Sequence, residues 1–193
     1  TLKEALQDIE LELQPFLAFR QVHKLSKANN NADSSFKTAE QGVCFKMYEN
    51  YTPLYIQFSK KVEYSHNPYW YYNFEYIKER ERGYDYIEDL LVPGKFKVNL
   101  RKGESLYVSC GVEEANPFLL SQDFTKETHW RFPIQSTEDI LKRAARMFFS
   151  RKGTKVNLVA GFPWFGRSGR HTHIYLPGLR IALTDRRIFR FPT

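Results

Sequence analysis

Residues 95–110 read KFKVNLRKGESLYVSC, and their period decides the fold class. Phe96, Val98 and Leu100 alternate with Lys95, Lys97, Asn99 and Arg101. One face is apolar and the other polar, as in a half-buried antiparallel strand. The turn Arg101-Lys102-Gly103-Glu104 leads into a second apolar run at 105–110, which predicts a β-hairpin. The same period recurs upstream. Ile9, Leu11 and Leu13 share a face within residues 8–14, and Leu54, Ile56 and Phe58 oppose Tyr55, Gln57 and Ser59 within residues 53–59. The stretch ANNNADSS at 28–35 is a polar loop. Short strands separated by turn signals predict a mainly β chain, an antiparallel β-sandwich, up to about Pro133.

Beyond Pro133 the period becomes helical. Ser136 is a good N-cap, and Asp139 stands in capping-box position. Ile140, Leu141, Ala144, Ala145, Phe148 and Phe149 follow at helical spacing, with Lys142, Arg143 and Arg146 on the other face. This predicts a helix near 137–151 that ends at Lys152-Gly153. Two domains follow: a β-sandwich over 1–133 and the beginning of a helical domain over 134–193. The sequence contains no internal repeat.

The 193 residues suffice for one good core and a piece of a second. Lys and Arg number 29 against 22 Asp and Glu, a net charge of +7. That balance permits a polyanion partner. Most basic residues, however, stand beside acids, and only the part from Lys142 onward is consistently basic. A solvated basic face, or a surface for a neighbouring domain, accounts for it, and no nucleic-acid partner is predicted. The mean hydropathy is −0.54, and no run of 18 apolar residues occurs, so no membrane span is predicted. The N-terminal residues carry charges throughout and lack the apolar core of a signal peptide. The chain does not open on Met, which reads as a start inside a longer protein. Cys44 and Cys110 lie in strand-like apolar runs and are expected to be buried free thiols in a reducing, cytoplasmic setting. Two cysteines alone do not establish a disulfide.

Residues 69–94, YWYYNFEYIKERERGYDYIEDLLVPG, combine a wall of aromatics with a cluster of acids. Aromatic rings stack on the CH faces of pyranose sugars, so Trp70 and Tyr71 are candidates to hold a glucan; strands are also rich in aromatics for packing alone. Glu75, Glu79, Glu81, Asp85, Glu88 and Asp89 contain enough carboxylates for a glycosidase pair. Lys78, Arg80 and Arg82 interleave with them and can pair with them, so ion-paired loops are the expected reading.

These residues carry a resemblance. The pattern Trp70-Tyr71-x-Asn73-x-x-Tyr76-x-x-Glu79-x-x-Arg82-Gly83-Tyr84-Asp85-x-x-Glu88-Asp89-Leu90-x-x-Pro93-Gly94 resembles the N-terminal domain of prokaryote-type glycogen debranching enzymes. Upstream, Pro15-Phe16-Leu17-Ala18-Phe19-Arg20-x-x-His23-x-Leu25 and the turn Asn29-Asn30-Asn31 are similar to the same domain. Downstream, Ala144-Ala145-x-x-Phe148, Ala160-Gly161-Phe162-Pro163-Trp164-Phe165 and Leu176-Pro177-Gly178-Leu179 resemble the entry to that family's catalytic domain.

The resemblance implies a β-sandwich ahead of an α/α toroid, and amylo-α-1,6-glucosidase activity at glycogen branch points, in some relatives with 4-α-glucanotransferase activity. It implies no organic cofactor and no metal. The partners implied are glycogen or another branched α-glucan and the rest of the catalytic domain. Trp164 and Phe165 would form a platform for glucose, and Arg170 would bond its hydroxyls through a planar donor fork. The family reads Trp-Gly-Arg-Asp-Thr where this chain has Ser168-Gly169-Arg170-His171-Thr172, so imidazole replaces a carboxylate acceptor. His171 and His173, at strand spacing, would share a side, but no third ligand stands near them. The toroid's acid and base carboxylates belong downstream of residue 193. No residue of this chain is therefore assigned a catalytic role, and the chain alone is expected to be inactive, as a cut or truncated piece of a longer enzyme.

Overall fold

The alternation at 95–100 belongs to a longer strand. The computed structural model describes residues 1–22, 24–130, 134–152, 155–161, 165–167 and 169–183. These form two compact units, Thr1–Lys126 and Glu127–Thr193.

In the first unit, β1 (Ile9–Leu13) runs antiparallel to β6 (Ile87–Leu100), with Ile9 opposite Leu100 and Leu13 opposite Phe96. On the solvent side of this pair, Lys97 bridges Glu10 at 2.7 Å and Glu12 at 2.9 Å, and Lys95 bridges Glu12 at 3.0 Å. The other edge of β6 pairs with β5 (Glu63–Glu75). A second antiparallel sheet has the order β2-β3-β4-β7, formed by Phe36–Ala39, Gly42–Phe45, Leu54–Phe58 and Val108–Gly111. Val43, Phe45, Ile56 and Phe58 from this sheet join Leu91 and Phe96 from the first in one buried cluster with Leu17 and Met47. Phe58 and Phe96 lie 4.7 Å apart between ring centroids. The two sheets thus bury one face each against a shared core, a sandwich-like arrangement of antiparallel sheets.

Two strand expectations need correction. The turn at Arg101 exists, with Glu104 N–H donating to the Arg101 carbonyl at 3.0 Å. The following strand, however, pairs with β4 and not with β6. Around Phe96 and Lys97 both edges of β6 are already taken, by β1 and by β5, so the chain crosses to the other sheet. The second correction concerns Glu88 and Asp89, which lie not in loops but within β6, itself 14 residues long. Pro93 and Gly94 sit inside that strand at a register shift between His66 and Tyr69, and such a bulge tolerates the missing N–H of proline. At Gly94 a Cβ would stand within 3 Å of the Ser65 carbonyl oxygen, so only glycine fits.

Cys44 is buried and Cys110 is exposed; both are free. The expectation of two buried thiols therefore fails at Cys110, which sits on the edge strand β7. Cys44 pairs with Tyr55 and Cys110 with its neighbour Ile56. Adjacent residues of a strand point to opposite faces, so the two sulfurs lie on opposite sides of the sheet.

Helices also interrupt the β region. Short α1 (Ile77–Glu81) caps the β5–β6 hairpin. Asn116 accepts from Phe118 N–H at 3.0 Å and starts a 3-10 turn that runs into α2 (Leu120–Trp130).

In the second unit, α3 (Thr137–Arg146) begins with the capping box read from the sequence: Ser136 Oγ accepts from Asp139 N–H at 3.2 Å, and Asp139 accepts from Ser136 N–H at 3.0 Å. The helix does not reach 151. It ends at Met147, and Phe149–Lys152 forms β8, paired with β9 (Lys155–Gly161). Phe149 stands opposite Leu158, which is buried; pairing overrides the helical spacing that Phe148 and Phe149 share. β10 (Phe165–Arg167) adds to β9, giving the order β10-β9-β8, and α4 (Gly169–Leu183) follows with Pro177 inside it. Among the described residues no helix is long and apolar enough to cross a membrane.

Candidate functional site

The β5–β6 hairpin brings the aromatic wall and the acids together, and it separates them by face. Trp70 stands opposite Leu91 and packs on the core. Tyr71, the next residue, stands opposite Leu90 and is half exposed on the outer face. The two candidate sugar contacts on this strand therefore point to opposite sides of the sheet. Tyr71 meets two other rings: Phe16 edge-on at 5.2 Å and Phe74 at 6.3 Å. Phe74 meets Tyr76 at 5.1 Å. The accessible stripe is thus Phe16, Tyr71 and Phe74, with Tyr69 and Tyr72 also exposed.

Glu88 is fully buried, and five contacts converge on its carboxylate. Tyr76 OH donates at 2.6 Å, Ser26 Oγ at 2.8 Å and Ser26 N–H at 2.9 Å. Arg20 Nη2 donates at 3.2 Å, and Arg20 Nε lies 2.5 Å away as an ion pair without hydrogen-bond alignment. Burial alone would raise the carboxyl's pKa, but bonds from Tyr76, Ser26 and Arg20 outweigh it and hold the group below the ordinary value. Tyr76 is pushed up, by burial first and then by the adjacent carboxylate.

Asp89 accepts from Asn73 N–H at 3.0 Å and Ala28 N–H at 3.1 Å, and these bonds lower its pKa. Asn73 has φ +57°, in the bulge between Tyr71 and Phe74, a conformation that asparagine tolerates better than most residues. Three further acids of the block are in surface ion pairs: Glu81 with Lys78 at 2.7 Å, Glu79 with Arg82 at 3.1 Å, Glu75 with Arg80 at 3.8 Å. Gly83, at φ +77°, closes the α1 turn. Both carboxylates are buried and engaged by these donors. They hold residues 20–28 against the hairpin.

In the second unit, Phe165 lies in β10 opposite Gly161, and Arg170 is exposed in the first turn of α4. Trp164 lies outside the described residues, as do Ser168 and the tail from 184. His171 and His173 are in a helix, not a strand, so they are turned well apart around its axis and do not share a side. His171 instead faces Tyr175 at 5.6 Å. Among the described residues no group of three His, Cys, Asp or Glu is placed to hold a metal ion.

Sequence reasoning missed one concave feature. A groove of about 630 Å³ lies over the outer face of the β2-β3-β4 sheet, with Lys37, Cys44 and Tyr55 among its lining residues. Its walls come from the polar loop at 28–35 and the turn after Met47. The polar loop and the outward parity of Tyr55 were legible, but strand pairing alone brings them together.

No curated protein and no solved structure matches the chain. Residues 1–107 match the family model described as glycogen debranching enzyme N terminal. The matched span contains both sheets up to the end of β6, Arg20, Ser26, Tyr76 and the two buried carboxylates. It covers more than half of the 193 residues, and the chain belongs to the glycogen debranching enzyme N-terminal family.

Proposed function

We propose that this chain is the N-terminal, glucan-associated part of an enzyme that hydrolyses α-1,6-glucosidic branch points of glycogen, with or without 4-α-glucanotransferase activity. The family match over 1–107 carries the reading. In it the β unit associates with branched glucan and with the catalytic domain, and the chemistry belongs to the α/α toroid. Two observations support a non-catalytic role for the β unit. The carboxylates of its buried acid pair are engaged by hydrogen bonds, and Glu75, Glu79 and Glu81 are in surface ion pairs. Glucan contact runs through exposed rings, Tyr71 with Phe16 and Phe74 on one strip, and through Trp164, Phe165 and Arg170 at the toroid entry. The exposed Ile140, Leu141 and Ile174 on α3 and α4 suit helices that pack against further helices.

The test is direct. The 193-residue chain, incubated with a branched limit dextrin, should release no glucose; release by pure protein would overturn the non-catalytic assignment. Electrophoresis through gels containing glycogen should retard the chain, equally at low and high salt, since stacking on rings is not an ionic contact. Tyr71→Ala should reduce the retardation. A second reading, a β module that only packs on its catalytic domain, is favoured if glycogen produces no retardation. Retardation by DNA that collapses with salt would instead indicate a polyanion site.

A further inference from the structure

The groove over the second sheet is built from side chains whose chemistry defines a ligand class. Its floor follows from strand parity. Lys37 on β2, Cys44 on β3 and Tyr55 on β4 stand side by side in register, on the face turned away from the core. Lys46 follows at the same parity beyond β3. The walls are held in place by the backbone. Asp33 N–H donates to the Met47 carbonyl at 2.9 Å, and Ser35 N–H donates to Asp33 Oδ1 at 2.8 Å. Asn29 Nδ2 donates to Tyr48 OH at 2.9 Å, which ties one wall to the other. Ala28 is fixed in turn by Asp89. The volume, about 630 Å³, falls within the roughly 300–1,000 Å³ of small-molecule sites.

Charge narrows the ligand. Asp33 and Glu49 oppose Lys37 and Lys46, two acids against two bases, so the groove has no net formal charge to select an anion or a cation. Donors and acceptors occur together: the ammonium groups, the carboxylates and the Asn31 amide. A hydroxyl group both donates and accepts, and a ligand dense in hydroxyls uses both kinds of partner. Tyr48 and Tyr55 add rings for apolar CH faces. Resting on the glucan reading above, we propose that this groove is a saccharide site that holds a short α-1,4-linked oligosaccharide, separate from the Tyr71 stripe.

The experiment is isothermal titration of the full 193-residue chain with maltotriose. It should bind saturably. Tyr55→Ala should weaken binding about tenfold, by loss of one ring contact. Glu49→Gln and Lys46→Ala alter exposed positions and leave the fold intact, and each should weaken binding several-fold. Glu79→Gln, which changes a surface ion pair outside the groove, should leave maltotriose affinity unchanged. The proposal is overturned if Tyr71→Ala abolishes maltotriose binding while the groove variants retain it; the glucan reading then stands on the stripe alone. It is also overturned if maltotriose fails to bind although glycogen retards the protein. Failure of both assays removes the glucan reading with it. Inorganic phosphate binding that Lys37→Ala and Lys46→Ala abolish, with no maltotriose binding, would make the groove an anion site and refute the saccharide class.

Discussion

Glu88→Gln tests whether the acid doublet of the hairpin is structural. The carboxylate has no solvent exposure and receives Tyr76, Ser26 twice and Arg20. A glutamine keeps one acceptor oxygen and sets an NH2 group against groups that donate, so at least two contacts are lost and one becomes repulsive. It also leaves the Arg20 guanidinium without its counter-charge. Breaking a buried pair costs about 3–5 kcal/mol. Arg20 keeps 21% side-chain exposure, so water relieves part of this, and the lower end, about 3 kcal/mol, is expected. For a domain of this size that lowers the melting temperature by about 10 °C. Glu79→Gln, which removes only a surface pair with Arg82, should cost no more than about 0.5 kcal/mol. Thermal unfolding followed by circular dichroism compares the two. The pH dependence adds a second readout. Glu88 titrates below its ordinary value of 4.5 when folded. Its contribution is complete above that pH and is lost as pH falls through the lower folded value, because the unfolded state binds the proton first. The gap between wild type and Glu88→Gln should therefore be full at neutral pH and close in acid. Equal melting temperatures for Glu88→Gln and Glu79→Gln at pH 7 would refute the structural assignment.

Gly94→Ala should destabilise by more than about 2 kcal/mol, because the new Cβ would overlap the Ser65 carbonyl; Gly103→Ala, in open space at φ +83°, should cost only about 1 kcal/mol, both read by urea unfolding. Trp70→Ala should cost about 3 kcal/mol or more in the same assay, whereas Tyr71→Ala should cost under about 1 kcal/mol and show its effect in glycogen retardation. Tyr64, whose pKa burial pushes up to about 12, stays protonated in the fold after the unfolded chain has ionised near 10, so stability should decline as pH rises from 10 towards 12. Tyr64→Phe should flatten that alkaline decline.

The strands at 8–14, 53–59 and 95–101 were legible because one face of each meets a core and the other meets water or charge, so burial writes a period of two into the sequence. The pairing of residue 108 onwards was not legible. Hairpin geometry is local, but the occupancy of both edges of β6 depends on β1 and β5, which are 60 residues or more away from it or arrive through bulges. The end of α3 was missed for the same kind of reason: Phe148 and Phe149 fit the helical stripe, and only Leu158 across a strand pair decides against it. Asp139 was legible because its partner, Ser136, is three residues away. Trp70 and Tyr71 could be read as a pair of aromatics but not as members of opposite faces until the register with Leu91 and Leu90 was known.

The acids illustrate why residue type alone misleads about chemistry. A general acid or base must reach a reacting proton, so it needs at least one unoccupied lone pair directed at substrate. Glu88 and Asp89 direct theirs at Tyr76, Ser26, Arg20, Asn73 and Ala28. Their depressed pKa values have the same origin, since every donor that fills the carboxylate also favours its charged form. What these acids do instead is positional. Asp89 holds Ala28, the residue before Asn29, and Asn29 holds Tyr48 across the mouth of the groove. The doublet that resembles a glycosidase pair in sequence therefore acts by position, fixing the loop whose far side forms a wall of the proposed saccharide site.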